Sequence, residues 1–327
     1  MSSVTPPVLV IGGAGYIGSH VVRLLFAAGR DVVVVDDLST GSANCVAGSW
    51  FYAGDLFAPA MLTQIVAEHC IDTIIYAAAT QHELPCPTTA HARLCVESPL
   101  AAVFNTVVRS GVSKVVFTST CAVYGPSRDG CIVDETCPTV PLSPYGVDKL
   151  AVEQHLLNLS REVGLRCVVL RCFNVAGAYR GEGFSGTSGN PARLVNVACQ
   201  VAAGRRANVP VFGWDFPTKD GTSIRDYADV DDVARAHVNA VDYLNGGGSS
   251  IVLNCGSGQG HSLIDVVRAV EIEARAAVPL CLLDRRLQEV PFMVANIAKI
   301  RETLGWVPRT DSLLSVVRSA LACEREI

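Results

Sequence analysis

Directly after the apolar run Val8–Ile11 the chain reads Gly12-Gly-Ala-Gly15-Tyr-Ile-Gly18, and from Tyr16 to Ala28 it continues with a helical period that Gly29 ends. No other feature limits the fold as strongly. Glycines at this spacing let a strand turn sharply into a helix and let the backbone approach a pyrophosphate. There the unpaired N–H groups of the helix N-terminus carry partial positive charge. Strand, glycine loop and helix in this order predict the first unit of a dinucleotide fold, with Gly12, Gly15, Tyr16, Ile17 and Gly18 at the cofactor.

The remainder of the first half repeats the alternation. Val32–Val35, Thr73–Tyr76, Lys114–Thr118 and Leu165–Leu170 are continuous apolar runs, as expected of strands buried on both faces of a parallel sheet. Helical periods at Ala60–Cys70 and Leu150–Val163 lie between them. The expected fold class is therefore α/β, a doubly wound parallel (Rossmann) sheet. After Arg171 the pattern changes. Gly177–Gly189 holds five glycines and reads as a long loop, and Gly221–Asp229 and Leu280–Pro291 read as polar, irregular connections. Helical periods return at Val230–Leu244, Leu263–Ala276 and Leu313–Ala322, with one more β run at Ile251–Asn254. We expect a cofactor domain at 1–172, with about 225–257 returning to it. A smaller C-terminal lobe for the substrate would comprise 173–224 and 258–327.

Composition narrows the function. Half of the 327 residues are apolar and 17% are charged, which argues against disorder. Twenty-six basic against 31 acidic side chains leave a net charge of −5 with no basic block, so a nucleic-acid partner is disfavoured. The first residues lack a basic, apolar leader and no run reaches the ~18 apolar residues of a membrane span, so a cytoplasmic protein is expected. Thirteen cysteines, an odd number without a C-x-x-C pair, sit partly within apolar runs (Cys70, Cys167, Cys199, Cys255). They read as buried free thiols rather than disulfides or metal ligands.

Asp36 ends the second strand 18 residues beyond Gly18, where a carboxylate accepts hydrogen bonds from the adenosine ribose hydroxyls. Asp37 follows, and two acids would repel a 2′-phosphate, so the expected cofactor is NAD rather than NADP. Asp55, in Ala53-Gly-Asp-Leu56 after a third short strand, is placed either for the adenine amine or as an ordinary turn aspartate.

Tyr145-Gly-Val-Asp-Lys149 sets a phenol and an ammonium one helical turn apart. An unperturbed tyrosine has a pKa of ~10, and an adjacent Lys⁺ with a cationic nicotinamide favours the phenolate, a general base. Upstream, Phe117-Thr-Ser-Thr-Cys-Ala-Val-Tyr-Gly125 leaves the fifth strand with three hydroxyls. Thr120 stands at the strand's carboxyl end, where open α/β sheets bind ligands, or it serves only backbone groups there.

Taken with Arg171-Cys-Phe-Asn174 and Asp220-Gly-Thr-Ser-Ile-Arg-Asp-Tyr227, these motifs resemble the extended short-chain dehydrogenase/reductase family, and within it the nucleotide-sugar epimerases, from about Val8 to Pro308. The resemblance implies an NAD-binding sheet, a smaller lobe for a nucleotide sugar, and a homodimer. It implies Tyr145 as general base, Lys149 as its partner on the nicotinamide ribose, and Thr120 on the sugar 4-hydroxyl. Asn174, Arg225 and Arg286 would hold the diphosphate, and Glu289 the nucleotide ribose. Met293 would border the sugar pocket, where residue bulk decides between plain and 2-acetamido hexoses.

Several positions depart from the family's pattern. Gln81 stands where a cofactor-binding Lys is usual, Cys172 replaces a Tyr at the cofactor, and Arg193 replaces an Asn before a substrate-lobe helix. Pro99, in Val96-Glu-Ser-Pro-Leu100, is expected to delay a helix start. Family dehydratases carry Asp-Glu directly after the strand threonine, where this chain has Cys121-Ala122, which disfavours that chemistry. A carbon-4 epimerase of UDP-hexoses is the first expectation and a nucleotide-sugar 4-ketoreductase the second. A non-catalytic NAD sensor is third, disfavoured by the intact Tyr145, Lys149 and Thr120.

Overall fold

A computed structural model describes residues 6–78, 99–126, 130–179, 193–286 and 289–326. In chain order, the first half contains β1 (Val8–Ile11), α1 (Tyr16–Ala27), β2 (Val32–Asp36), β3 (Trp50–Ala53), α2 (Pro59–Glu68), β4 (Thr73–Tyr76), α3 (Pro99–Arg109), β5 (Lys114–Thr120), α4 (Pro144–Val163) and β6 (Arg166–Cys172). There follow β7 (Asn174–Ala176), α5 (Leu194–Ala202), β8 (Val209–Phe212), β9 (Ile224–Asp229), α6 (Val230–Asn245), β10 (Ile251–Cys255) and β11 (Gly260–Ser262). The last are α7 (Leu263–Ala274), β12 (Leu280–Leu283), β13 (Phe292–Met293), α8 (Ala298–Leu304) and α9 (Leu313–Glu326).

Seven strands form one sheet in the order β10-β6-β5-β4-β1-β2-β3. Val8 pairs with Val32 on one side and Thr73 on the other, both in parallel register, so the direction of winding reverses at β1. That reversal opens a crevice at the strands' carboxyl ends, and the glycine loop lies there. The β-branched runs account for the sheet: Val32 to Val35 are wholly buried, and side chains branched at Cβ pack well on a pleated surface covered on both faces.

The chain divides into two compact units. The first comprises Met1–Val123, Pro141–Arg171 and Ala234–Leu253; the second comprises Tyr124–Val140, Cys172–Val233 and Asn254–Ile327. The returning segment is thus shorter than the 225–257 expected, because β9 belongs to the second unit. There β9 pairs in parallel with β7 and β13 and antiparallel with β11. Of Gly221–Asp229, expected as an irregular connection, Ile224–Asp229 is thus a strand. Its polar side chains sit on a strand whose backbone groups are satisfied by three neighbours, which hydropathy alone does not reveal. Leu280–Pro291 likewise begins with β12, paired to β8.

Helix ends follow local chemistry. α4 begins six residues before the expected Leu150, because the Ser143 side chain caps it by accepting from Gly146 N–H at 3.1 Å and Pro144 occupies the first turn. Gly164, at φ 75°, closes it. α3 is described from Pro99 onward, and the residues before it lie outside the described ones, the expected effect of Pro99 on the helix start with them. In the second unit α5, α7 and α9 enclose a core that includes Cys199, Val266 and Val317. Cys167, Cys199 and Cys255 are buried free thiols, but Cys70 is exposed, one residue past the end cap of α2 with φ 51°.

Candidate active site

In the first unit, Gly12 N–H donates to Val35 O at 2.8 Å, and Gly12 has φ +78°. A Cβ on Gly18 would stand 2.1 Å from Gly12 O, so loop and helix meet backbone to backbone. Gly15 differs, since a Cβ there would meet only Gly12 O, at 3.4 Å, with open space beyond. Gly15 is also the N-cap of α1 and brings no side-chain cap. Space beside a positive helix end, kept clear by a glycine, fits the pyrophosphate of NAD. Tyr16 and Ile17 are half-buried on the first turn of the helix.

Asp36 is buried at the end of β2. Its Oδ2 accepts from Ala14 N–H at 2.9 Å and its Oδ1 from Leu38 N–H at 2.8 Å. Burial raises its pKa and the neighbouring Asp37 charge adds to this, while the backbone donors oppose both. The carboxylate keeps acceptor capacity for ribose hydroxyls. Asp37 is exposed, and its contacts with Ser39 hold its carboxyl below the ordinary range. Asp55 is exposed and accepts from Phe57 N–H at 2.9 Å, as a turn aspartate does, and Leu56 beside it is buried. Gln81 lies outside the described residues.

Tyr145 is 43% exposed on the first turn of α4, whereas Lys149 is 3% exposed. The phenol is therefore open to a substrate and the ammonium is not. Lys149 donates to the carbonyls of Thr118 at 3.0 Å and Ala78 at 3.4 Å, and lies 4.8 Å from the Phe117 ring centre. A Cβ on Gly146 would stand 2.2 Å from Ala122 O, so the start of α4 presses on the segment just after Thr120. Tyr145, Lys149 and Thr120 thereby share one neighbourhood. Thr120 Oγ1 accepts from Ala122 N–H at 3.1 Å, which leaves its hydrogen to donate.

The second unit holds a cavity of about 350 Å³ whose lining includes Asn174, Arg225, Arg286 and Glu289. Arg225 donates to Glu289 at 3.0 Å and to Ile224 O at 2.9 Å, so the guanidinium is held from two sides. Arg286 stacks on Phe212, 3.4 Å from the ring centre. Phe212 and Arg206 line the same cavity and escaped sequence reasoning. The signal was an aromatic closing a short strand in front of Gly213. Arg193 is not in the lining: it is the N-cap of α5 and donates to Val175 O at 3.0 Å, while Leu194 after it reaches the cavity. Met293 is buried in β13 opposite Arg225, also outside the lining. Cys172 is buried, its thiol hydrogen-bonded to Cys255, whose own ionisation is pushed up by that bond and by burial.

Comparison with known proteins places the chain in a family. Residues 8–256 match the model of the NAD dependent epimerase/dehydratase family. The UDP-glucose 4-epimerase of Azospirillum brasilense is 41% identical over 330 residues, covering 100% of this chain and 94% of that protein. The UDP-glucose 4-epimerase structure from Stenotrophomonas maltophila, with bound NAD and formylated UDP-arabinopyranose, superposes with a TM-score of 0.87 at 34% identity over 98% of each chain. The Brucella ovis enzyme in complex with NAD gives 0.87 at 34% identity, covering 97% of this chain and 98% of the other. The glycine cradle, the Tyr145–Lys149 helix and full-length similarity at this level lead to one assignment: the chain belongs to the NAD dependent epimerase/dehydratase family.

Proposed function

We infer that this protein is an NAD-dependent epimerase that inverts carbon 4 of a UDP-hexose, interconverting UDP-glucose and UDP-galactose. The observation that supports the mechanism is the close backbone approach of Gly146 to Ala122, which brings the start of α4, with Tyr145, against the segment after Thr120 in the unit that also bears the glycine cradle. When bound, NAD would supply reversible hydride acceptance at carbon 4, the redox change that inversion there requires.

The chain's own groups do the rest. Gly12, Gly15 and Gly18 with Asp36 hold the dinucleotide, and Asp55 and Leu56 flank its adenine. Thr120 hydrogen-bonds the 4-oxygen, and Tyr145 takes its proton and later restores it. Lys149, a buried cation beside the ring, favours the phenolate and meets the nicotinamide ribose. Arg225, Arg286 and Asn174 grip the diphosphate, Glu289 meets the uridine ribose, and Phe212 offers an aromatic face. Tight hold on the nucleotide leaves the hexose free to present either face. Met293 is proposed to limit the bulk accepted at carbon 2.

Cys121 and Ala122 supply no carboxyl for the elimination chemistry of a dehydratase. Among the described residues no helix is long and apolar enough to cross a membrane. A homodimer in the cytoplasm is part of this proposal, supported by the family resemblance and checked by light scattering. The deciding assay mixes the purified protein with UDP-galactose and follows UDP-glucose without added cofactor. Steady inversion with no change in total NADH is expected. Stoichiometric consumption of NADH with a 4-keto substrate would assign a ketoreductase instead.

A further inference from the structure

Glu153 follows Lys149 by one turn on α4 and is 1% exposed. It belongs to no step described above, yet both its oxygens are engaged. Oε1 accepts from the Ser119 hydroxyl and from Arg171 Nε at 3.2 Å, and Oε2 accepts from Arg171 Nε at 3.1 Å and Nη2 at 2.7 Å. Arg171, in β6, is 6% exposed. Ser119 is the residue before Thr120 on β5. One carboxylate thus fastens the helix that bears the phenol to the strand that bears the hydroxyl, and both to the neighbouring strand.

We propose that Glu153 and Arg171 are positioning residues for the carbon-4 inversion, fixing the tilt of α4 so that Tyr145 meets the sugar oxygen held by Thr120. The proposal rests on the roles given above to Tyr145 and Thr120. Stability does not account for the pair. Removing two charges from water is costly, and apolar side chains of similar volume commonly give equal or greater stability at such sites. An apolar pair lacks direction. The planar fork of Arg171 on a carboxylate fixes angles as well as distance.

Leverage makes the direction matter. Tyr145 lies eight residues before Glu153, about 12 Å along the helix axis. A tilt of roughly 5° about Glu153 moves the phenol by about 1 Å, and a misplacement of that size can cost about 100-fold in rate.

The test compares Glu153→Gln and the double variant Glu153→Leu/Arg171→Met with the native chain. Four quantities are measured: kcat for UDP-galactose, calorimetric Kd for UDP, NAD content and Tm. The double variant is expected to keep the native Tm or exceed it, with UDP affinity within about twofold, native NAD content and kcat at least tenfold lower. Glu153→Gln, which keeps shape and an acceptor for Ser119, is expected to lose kcat at least tenfold with the same UDP affinity, and it decides the matter if the double variant does not fold. Native kcat in either folded variant overturns the proposal, as does a fall in UDP affinity and NAD content that tracks the loss of kcat. Failure of the underlying mechanism shows differently: the native chain would not invert carbon 4, or Tyr145→Phe would remain active.

Discussion

The ammonium of Lys149 donates to the carbonyl of Thr118 at 3.0 Å, two residues before Thr120 on the same strand. A lysine so buried and anchored is held in place, its ammonium 5.9 Å from the centre of the Tyr145 ring. Tyr145→Phe removes only the ionisable oxygen, so the Tm and the NAD content should match the native chain. Inversion should fall at least ~100-fold, measured as initial rate on UDP-galactose. Activity within threefold of native would show that another base operates.

Asp36 serves two ends at once, the glycine loop through Ala14 and its own turn through Leu38. Asp36→Ala removes both and the proposed ribose contacts, each charge-assisted bond being worth roughly 1.5–3 kcal/mol. NAD released on denaturation, nearly stoichiometric for the native protein, should drop to a small fraction. Undiminished release would take Asp36 out of the cofactor site.

The Arg225–Glu289 pair leads to an asymmetry between conservative and drastic changes. Arg225→Lys keeps the charge but loses the fork, so it should weaken UDP binding roughly tenfold, and Arg225→Ala up to ~100-fold. Calorimetry with UDP measures this without turnover. If Arg225→Lys binds UDP as the native protein does, the guanidinium does not read the diphosphate in the way inferred.

Asp229 gives a pH dependence of stability. Burial, aided by the charges of Asp232 and Asp231, pushes its carboxyl up to about 7 in the folded chain, from an ordinary value of 3.8. Within that window the folded state binds a proton that the unfolded state does not, so stability falls as pH rises from about 4 through about 7. At ~1.4 kcal/mol per pH unit the loss is at most about 4 kcal/mol. Asp229→Asn escapes it, so its Tm relative to native should rise between pH 5 and pH 8. A constant difference across that range would mean that Asp229 titrates normally.

Met293 carries the proposal on sugar choice. Met293→Ala should raise the rate on UDP-N-acetylglucosamine relative to UDP-glucose several-fold, and Met293→Tyr should lower it, since pocket bulk discriminates by roughly 1–3 kcal/mol. Should both substitutions leave the ratio unchanged, the side chain serves only the core around β13.

The dinucleotide half was legible because its rules are local. Uninterrupted runs of β-branched valine between turn residues favour buried strands, and Gly12 to Gly18 work through backbone geometry that the sequence states outright. The cavity of the second unit was legible in its charges, Arg225 and Arg286, and opaque in its walls. Phe212 and Arg206 come together there through pairing between β8 and β12 and through the placement of α5, which is long-range information. β9 was hidden for a related reason: Arg225 and Asp226 look like loop residues until the strands on either side are known. Glu153 was equally silent, since a charged residue on a helix is ordinarily a solvated one.

The place of β10 at the edge of the large sheet, beside β6, has a bearing on how the protein is made. Synthesis delivers β1 to β6 within the first 172 residues, but the strand that covers β6 emerges only with Ile251–Cys255. Until then a nascent chain presents β6, five of whose seven residues are Cys167, Val168, Val169, Leu170 and Cys172, as an open apolar edge able to pair with another chain. A gene fragment cut after the last cofactor motif would keep that edge permanently, so it should aggregate rather than yield a small NAD-binding module.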